Sequence, residues 1–151
     1  MMIENIQDSL IEAQKALSEL LSNEAALLDI ESAAKILIET FENGHRVFAC
    51  GNGGSMCDAM HFSEELTGRY RKNRRPYPAI AINDPSHLTC VANDFGYDHV
   101  FSRYIEGHGG AGDCLIAIST SGKSQTILNA ARTAQACGVR VIVLTGHVVS
   151  G

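Results

Sequence analysis

His61 and Glu65 lie four residues apart in "CDAMHFSEELTGR" (57–69), a spacing that puts both on one helix face, about 6 Å apart at their β-carbons. An imidazole and a carboxylate so placed suit two uses. They can donate two ligands to a divalent metal, zinc being a good match for this donor pair. Alternatively, the carboxylate can act as a general base. An exposed helix face carrying no ligand has the same spacing, and only the neighbouring loop weighs against that reading. Two ligands do not complete a zinc site, so others must come from elsewhere.

The neighbouring loop is "GNGGS" (51–55), a glycine turn between an apolar run and a helical pattern. Ligands bind there in open α/β sheets, at the carboxyl ends of the strands, and a glycine turn with no ligand reads equally well until a second such loop is found. A second loop, "AISTSGKS" (117–124), ends like a Walker A motif in Gly122, Lys123 and Ser124, with Ala117 where the first glycine would stand. A nucleotide site would also need a later strand ending in aspartate to hold magnesium. The only later strand ends in Thr145–Gly146. Ser119, Thr120 and Ser121 put bulky hydroxyls where a triphosphate wants glycine. With Ser124, such a loop suits one small phosphate at a helix N-terminus. Asn93 and Asp94, in "VANDFGYD" (91–98), can cap a turn or bond sugar hydroxyls, and spacing does not separate the two.

The elements that must position these groups follow from periodicity. The first forty residues read as helix, with Ile3, Ile6, Leu10, Leu17 and Leu21 at helical spacings and no glycine or proline. Asn23 can cap a second segment, and Gly44 suits its C-terminal end. From residue 46 short apolar strands alternate with helices: strands at 46–50, 77–82, 113–119 and 140–146, helices from 55 to about 66 and from 121 to 137, and helical pieces between 86 and 108. That alternation predicts an α/β fold whose parallel sheet is covered by helices on both faces. The leading helix has little domain of its own to bury against, so an oligomer contact and packing on the sheet both remain open for it.

Composition narrows the class. The chain has 151 residues, 45% apolar, and a formal net charge of −5. A single globular domain is expected, and no general nucleic-acid binding, which needs a net basic face. The basic run "RYRKNRR" (69–75) reads as a solvated surface turn. Five cysteines without C-x-x-C spacing fit a reduced, cytoplasmic protein. No apolar run approaches a membrane span, so no membrane partner is expected.

Taken together, "CGNGGSMCDAMHFSEELTGRYR" (50–71), "AINDPSHLTCVANDFGYDHVFSRY" (81–104) and "GDCLIAISTSGKS" (112–124) closely resemble the bacterial phosphoheptose isomerases of the sugar isomerase (SIS) domain family. The resemblance implies a three-layer sandwich with a leading N-terminal helix, and a homotetramer with active sites at subunit interfaces. It implies zinc and the conversion of sedoheptulose 7-phosphate to D-glycero-D-manno-heptose 7-phosphate, the first step of ADP- or GDP-heptose supply for lipopolysaccharide core and related glycans. It assigns substrate contacts to Asn52, Gly53, Gly54, Ser55, Glu65, Asn93, Asp94, Ser119, Thr120, Ser121 and Ser124. His61 and Glu65 become zinc ligands, and Glu65 the catalytic carboxylate. Lys123 departs from the asparagine usual in this pattern, and Met56 from a frequent histidine. The pattern also calls for a further strand and a last helix bearing a glutamine and a histidine, so the remaining zinc ligands are expected beyond residue 151. Residues 1–151 are thus expected to be one SIS domain short of those two elements. A non-catalytic SIS protein, either a replication regulator binding the initiator protein DnaA or a phosphosugar sensor, is the alternative. Glu65 favours the enzyme.

Overall fold

A computed structural model describes residues 2–146; the chain's end after Gly146 lies outside the described residues. The chain forms two compact units, divided between Ile36 and Leu37. The first holds helix α1 (Met2–Ser22) and the start of α2 (Glu24–Glu42). No residue of α1 is buried, and Ile3, Ile6, Leu10, Leu17 and Leu21 are all exposed. The Asn23 side chain accepts the Ala26 N–H at 3.1 Å, which separates the two helices and caps the second.

The second unit is the α/β body expected from the alternation. Its parallel strands are β1 (Val47–Gly51), β2 (Ala79–Ala81), β3 (Cys114–Ile118) and β4 (Arg140–Leu144), ordered β2-β1-β3-β4. Between them run α3 (Gly54–Thr67), α4 (Pro85–Phe95), a 3-10 turn (Tyr97–His99), α5 (Val100–His108) and α6 (Gln125–Ala136).

Alternation along the strands divides the core in two. Phe48, Cys50, Leu115, Ala117 and Val141 point to one face, where they pack with Val91 of α4, Val100, Phe101 and Ile105 of α5, and Ile127, Ala130 and Ala134 of α6. On the other face α3 packs on β1 and β2, with Ala59 buried. Burial raises the Cys50 thiol to about 12 and the Cys114 thiol to about 11, so both are inert neutral hydrophobes.

Several element boundaries fall inside their sequence-based limits, and two have a visible cause. The helix expected from residue 121 starts at Gln125, because the Gly122 N–H bonds the Ser119 carbonyl and Gly122 takes φ 66, which closes a turn first. The strand expected from residue 77 starts at Ala79, after Pro78, which has no N–H to donate.

Candidate active site

Gly51 at the end of β1 pairs with Ile118 at the end of β3, so the loops after these strands leave the sheet side by side. The first is tight because it is glycine. A Cβ on Gly51 would stand 2.5 Å from the carbonyl carbon and oxygen of Ser55, and Gly53 takes φ 55. The Ser55 N–H bonds the Asn52 carbonyl at 3.0 Å, and α3 begins at Gly54. Both ends of the Asn52 amide are engaged. Its Nδ2 donates to Thr126 Oγ1 at 2.8 Å, and its Oδ1 accepts from the Tyr97 hydroxyl at 2.9 Å. One side chain therefore ties the first loop to the helix that follows the second and to the 3-10 turn. Sequence reasoning missed Thr126 and Tyr97, which lie 74 and 45 residues from Asn52 and share no motif with it.

The second loop gathers its hydroxyls at the start of α6. Ser119 is buried and its Oγ donates to Ser124 Oγ at 3.3 Å, while Ser121 Oγ accepts the Lys123 N–H at 3.2 Å. Ser124 is the N-cap residue, yet its hydroxyl makes no bond to its own helix. Gly53, at the N-cap of α3, has no side chain to offer. Two helix N-termini thus meet the carboxyl edge of the sheet without side-chain caps, and both favour an anion. Thr120, Ser121 and Lys123 are exposed.

Two to three turns into α3, the helix turns Ala59 and Ser63 inward and His61, Glu64 and Glu65 outward. His61 Nε2 stands 3.3 Å from Glu65 Oε1 and 3.7 Å from Glu64 Oε1. One ligand atom from each of the three lies within 4.8 Å of the others. Glu64 was not singled out by the sequence, although its i,i+3 relation to His61 is visible there. His61 is 70% exposed and Glu65 34%. The two border a cleft of about 430 Å³ with Asp58, Phe62, Leu66 and Tyr70. An imidazole nitrogen and carboxylate oxygens so close together fit a borderline divalent ion such as zinc.

Asn93 and Asp94 lie in the last turn of α4, before Gly96 at φ 90 ends it. Asn93 Nδ2 donates to Asp94 Oδ1 at 2.8 Å, and the Cys90 thiol approaches Asp94 Oδ2 at 3.6 Å. Neither bonds a residue of the two loops among the described residues; their link runs through Tyr97, just beyond, and its bond to Asn52.

The profile of the SIS domain family matches residues 10–146. The phosphoheptose isomerase of Sodalis glossinidius is 60% identical over 141 residues, covering 93% of this chain and 73% of that protein. The phosphoheptose isomerase of Histophilus somni is 56% identical over 146 residues, covering 97% and 75%. Two solved structures are similar throughout. A phosphoheptose isomerase from Neisseria gonorrhoeae superposes with TM-score 0.89 at 36% identity, and one from Francisella tularensis with 0.91 at 34%; each match covers 96% of this chain and 75% of the other.

Proposed function

The chain belongs to the SIS domain family, and from that premise we propose that it is a phosphoheptose isomerase, an aldose–ketose isomerase that converts sedoheptulose 7-phosphate to D-glycero-D-manno-heptose 7-phosphate for heptose biosynthesis. The observation that carries the reading is the placement of Glu65 beside His61, on the helix that rises directly from the first loop.

Ser119, Thr120, Ser121 and Ser124 hold the phosphate with the N-terminus of α6, which fixes one end of the sugar and so positions the reacting carbons. Asn52, Gly53, Gly54 and Ser55 line the opposite side. The side chain of Asn52 bonds Thr126 and Tyr97, which sets the loop's shape and leaves one amide N–H for the substrate. Asn93 and Asp94 take sugar hydroxyls. Glu65 removes a proton from C1 of the ketose; the freed electron pair makes the C1–C2 double bond while the C2 carbonyl pair moves onto its oxygen, which takes a proton to give an enediol. The O1 hydroxyl then loses its proton as the carbonyl reforms at C1, and Glu65, after exchange with solvent, delivers a proton to C2 to complete the aldose. His61 and Glu65, with Glu64 in reach, would hold zinc. When bound, zinc supplies Lewis-acid stabilisation of the negative charge developing on the sugar oxygen.

The assembly proposed is a homotetramer with active sites between subunits; the exposed apolar stripe of α1 supports association, since so much unburied apolar surface calls for a partner. Five unpaired cysteines support a cytoplasmic setting. No helix among the described residues is long and apolar enough to cross a membrane.

The decisive experiment is turnover of sedoheptulose 7-phosphate in D2O by the protein and by its Glu65→Gln variant. The expected result is solvent deuterium at C2 of the product, with kcat lowered about 10²–10⁴-fold in the variant. A variant with full turnover sinks the mechanism. Ligand binding without turnover in the parent protein would favour the phosphosugar sensor.

A further inference from the structure

The basic run 69–75 is only partly the solvated turn that its composition suggests. Arg69, Arg71, Lys72 and Arg75 are exposed, but Arg74 is half-buried. Its guanidinium spans the C-terminal end of α3. Nη2 donates to the backbone carbonyl of Glu65 at 2.5 Å, and Nη1 to that of Leu66 at 2.8 Å.

A helix leaves its last four carbonyls without intrahelical donors. In α3 the Glu64 carbonyl takes the Gly68 N–H at 2.7 Å, and the Leu66 carbonyl also takes the Tyr77 N–H at 3.0 Å. The donor to the Glu65 carbonyl is Arg74. The guanidinium is itself held. It lies 4.7 Å over the Tyr77 ring, Tyr77 stacks on Phe41 at 4.8 Å, and Nη1 also donates to the Arg75 carbonyl at 3.0 Å. A cation at this end of a helix is favoured by the macrodipole as well.

Glu65 stands two residues before the end of α3 at Thr67, in the turn where helices fray. A reacting carboxylate has to be kept within about 0.5 Å of its productive place by the groups around it. We propose that Arg74 is a positioning residue for the isomerisation, clamping the backbone of Glu65 so that the His61–Glu65 pair keeps its geometry. The inference rests on the reading of Glu65 as the base. It needs the fork of a guanidinium, because two carbonyls are bound at once and a lysine ammonium offers no such fork.

The test compares Arg74→Met and Arg74→Lys, each alone and combined with Glu65→Gln. It reads kcat and KM per folded molecule, and the zinc affinity of metal-free protein by calorimetric titration. Arg74→Met is expected to lower kcat about tenfold or more, to leave KM within about twofold, and to weaken zinc binding about tenfold, as loss of a ligand-orienting partner does. Arg74→Lys keeps charge and stem and is expected to recover only part of either loss. In the Glu65→Gln background neither substitution should lower turnover further, because a clamp on a base already removed has nothing left to hold.

Unchanged kcat and zinc affinity in both variants would overturn the clamp and leave the isomerase standing. So would a loss that multiplies with Glu65→Gln, or failure of both variants to fold, either of which makes the role structural. A parent protein without turnover, whose zinc binding still weakens on Arg74→Met, would overturn the isomerase and keep the clamp on the pair. A parent that neither turns over nor binds zinc overturns both.

Discussion

The segments 47–67 and 114–136 are built to one plan, and they do opposite work. Each is a parallel strand, a short loop and a helix, and their strands are neighbours in register from Val47↔Cys114 to Gly51↔Ile118. In the first, the loop is reduced to backbone by Gly51, Gly53 and Gly54, and chemistry is carried further along the helix by His61 and Glu65. In the second, the chemistry is in the loop, as the hydroxyls of Ser119, Thr120, Ser121 and Ser124. Its helix contributes its N-terminus, while Ile127, Ala130 and Ala134 go into the core. On the proposed reading, the same frame holds a charge at one end of a substrate and acts on carbons at the other: the bare loop would let the sugar approach the helix, and the hydroxyl loop would stop the phosphate at the helix start.

The comparison breaks most severely at Gly51. Alanine there puts a methyl 2.5 Å from the Ser55 carbonyl, a backbone group that cannot swing aside, so the turn into α3 must open. Gly51→Ala is expected to cost about 3 kcal/mol, the upper end for overpacking, and to abolish turnover; thermal unfolding and kinetics check both. A more selective break is Ser119→Ala. If its hydroxyl bonds the phosphate as proposed, losing a hydrogen bond to a charged group removes about 1.5–3 kcal/mol, so KM should rise tenfold or more while kcat changes little. Glu65→Gln should do the reverse. If Ser119→Ala struck kcat instead, the two segments would not divide the work as described.

The tie between the segments gives a smaller effect. Thr126 is buried, and Thr126→Val leaves the amide of Asn52 without its acceptor, which should cost about 1–3 kcal/mol. Fold is expected to survive, with KM raised because the first loop loses its anchor. Lys123→Gln should be milder still. The side chain is exposed, and its backbone N–H, which bonds Ser121, is unaffected by the change. A lysine that contributes charge to the phosphate loop makes KM rise with salt, and the variant should flatten that dependence; equal salt slopes would mean it serves only the solvent.

The difference between the segments also explains what could be read from the chain. The two loops were legible because glycines and hydroxyls are contiguous and lie between an apolar run and a helical pattern. The His61–Glu65 pair was legible because a helix turns a spacing of four into a shared face. Contacts that cross the sheet were not. Nothing local marks Thr126 as the partner of Asn52, or Tyr97 as the partner of its carbonyl oxygen, since each pairing exists only after β1 and β3 align. Arg74 was hidden differently. Among four other cations in one run it looks solvated, and only the end of α3, folded back beside it, distinguishes the residue that is bonded.

The smallest expected effect lies outside both segments and serves as their control. Asp84 caps α4, accepting the His87 N–H at 2.8 Å and the Ser86 hydroxyl, and these bonds, the hydroxyl first, hold its carboxyl below the usual range. A folded-state value below the unfolded one means that the ionised cap favours the native state. Its contribution is full above the unfolded carboxylate range near pH 4 and is lost as pH falls through the lower, folded value. Asp84→Ala should therefore lower the melting temperature slightly at pH 7, with the gap to the parent protein closing below pH 4. Asp84→Asn, which still caps, should lose less. Neither should move kcat or KM at neutral pH, because the cap is at the far end of α4 from Asn93 and Asp94. A clear change in KM would mean that α4 transmits the state of its first turn to the sugar, and the division of labour would then have to include a third segment.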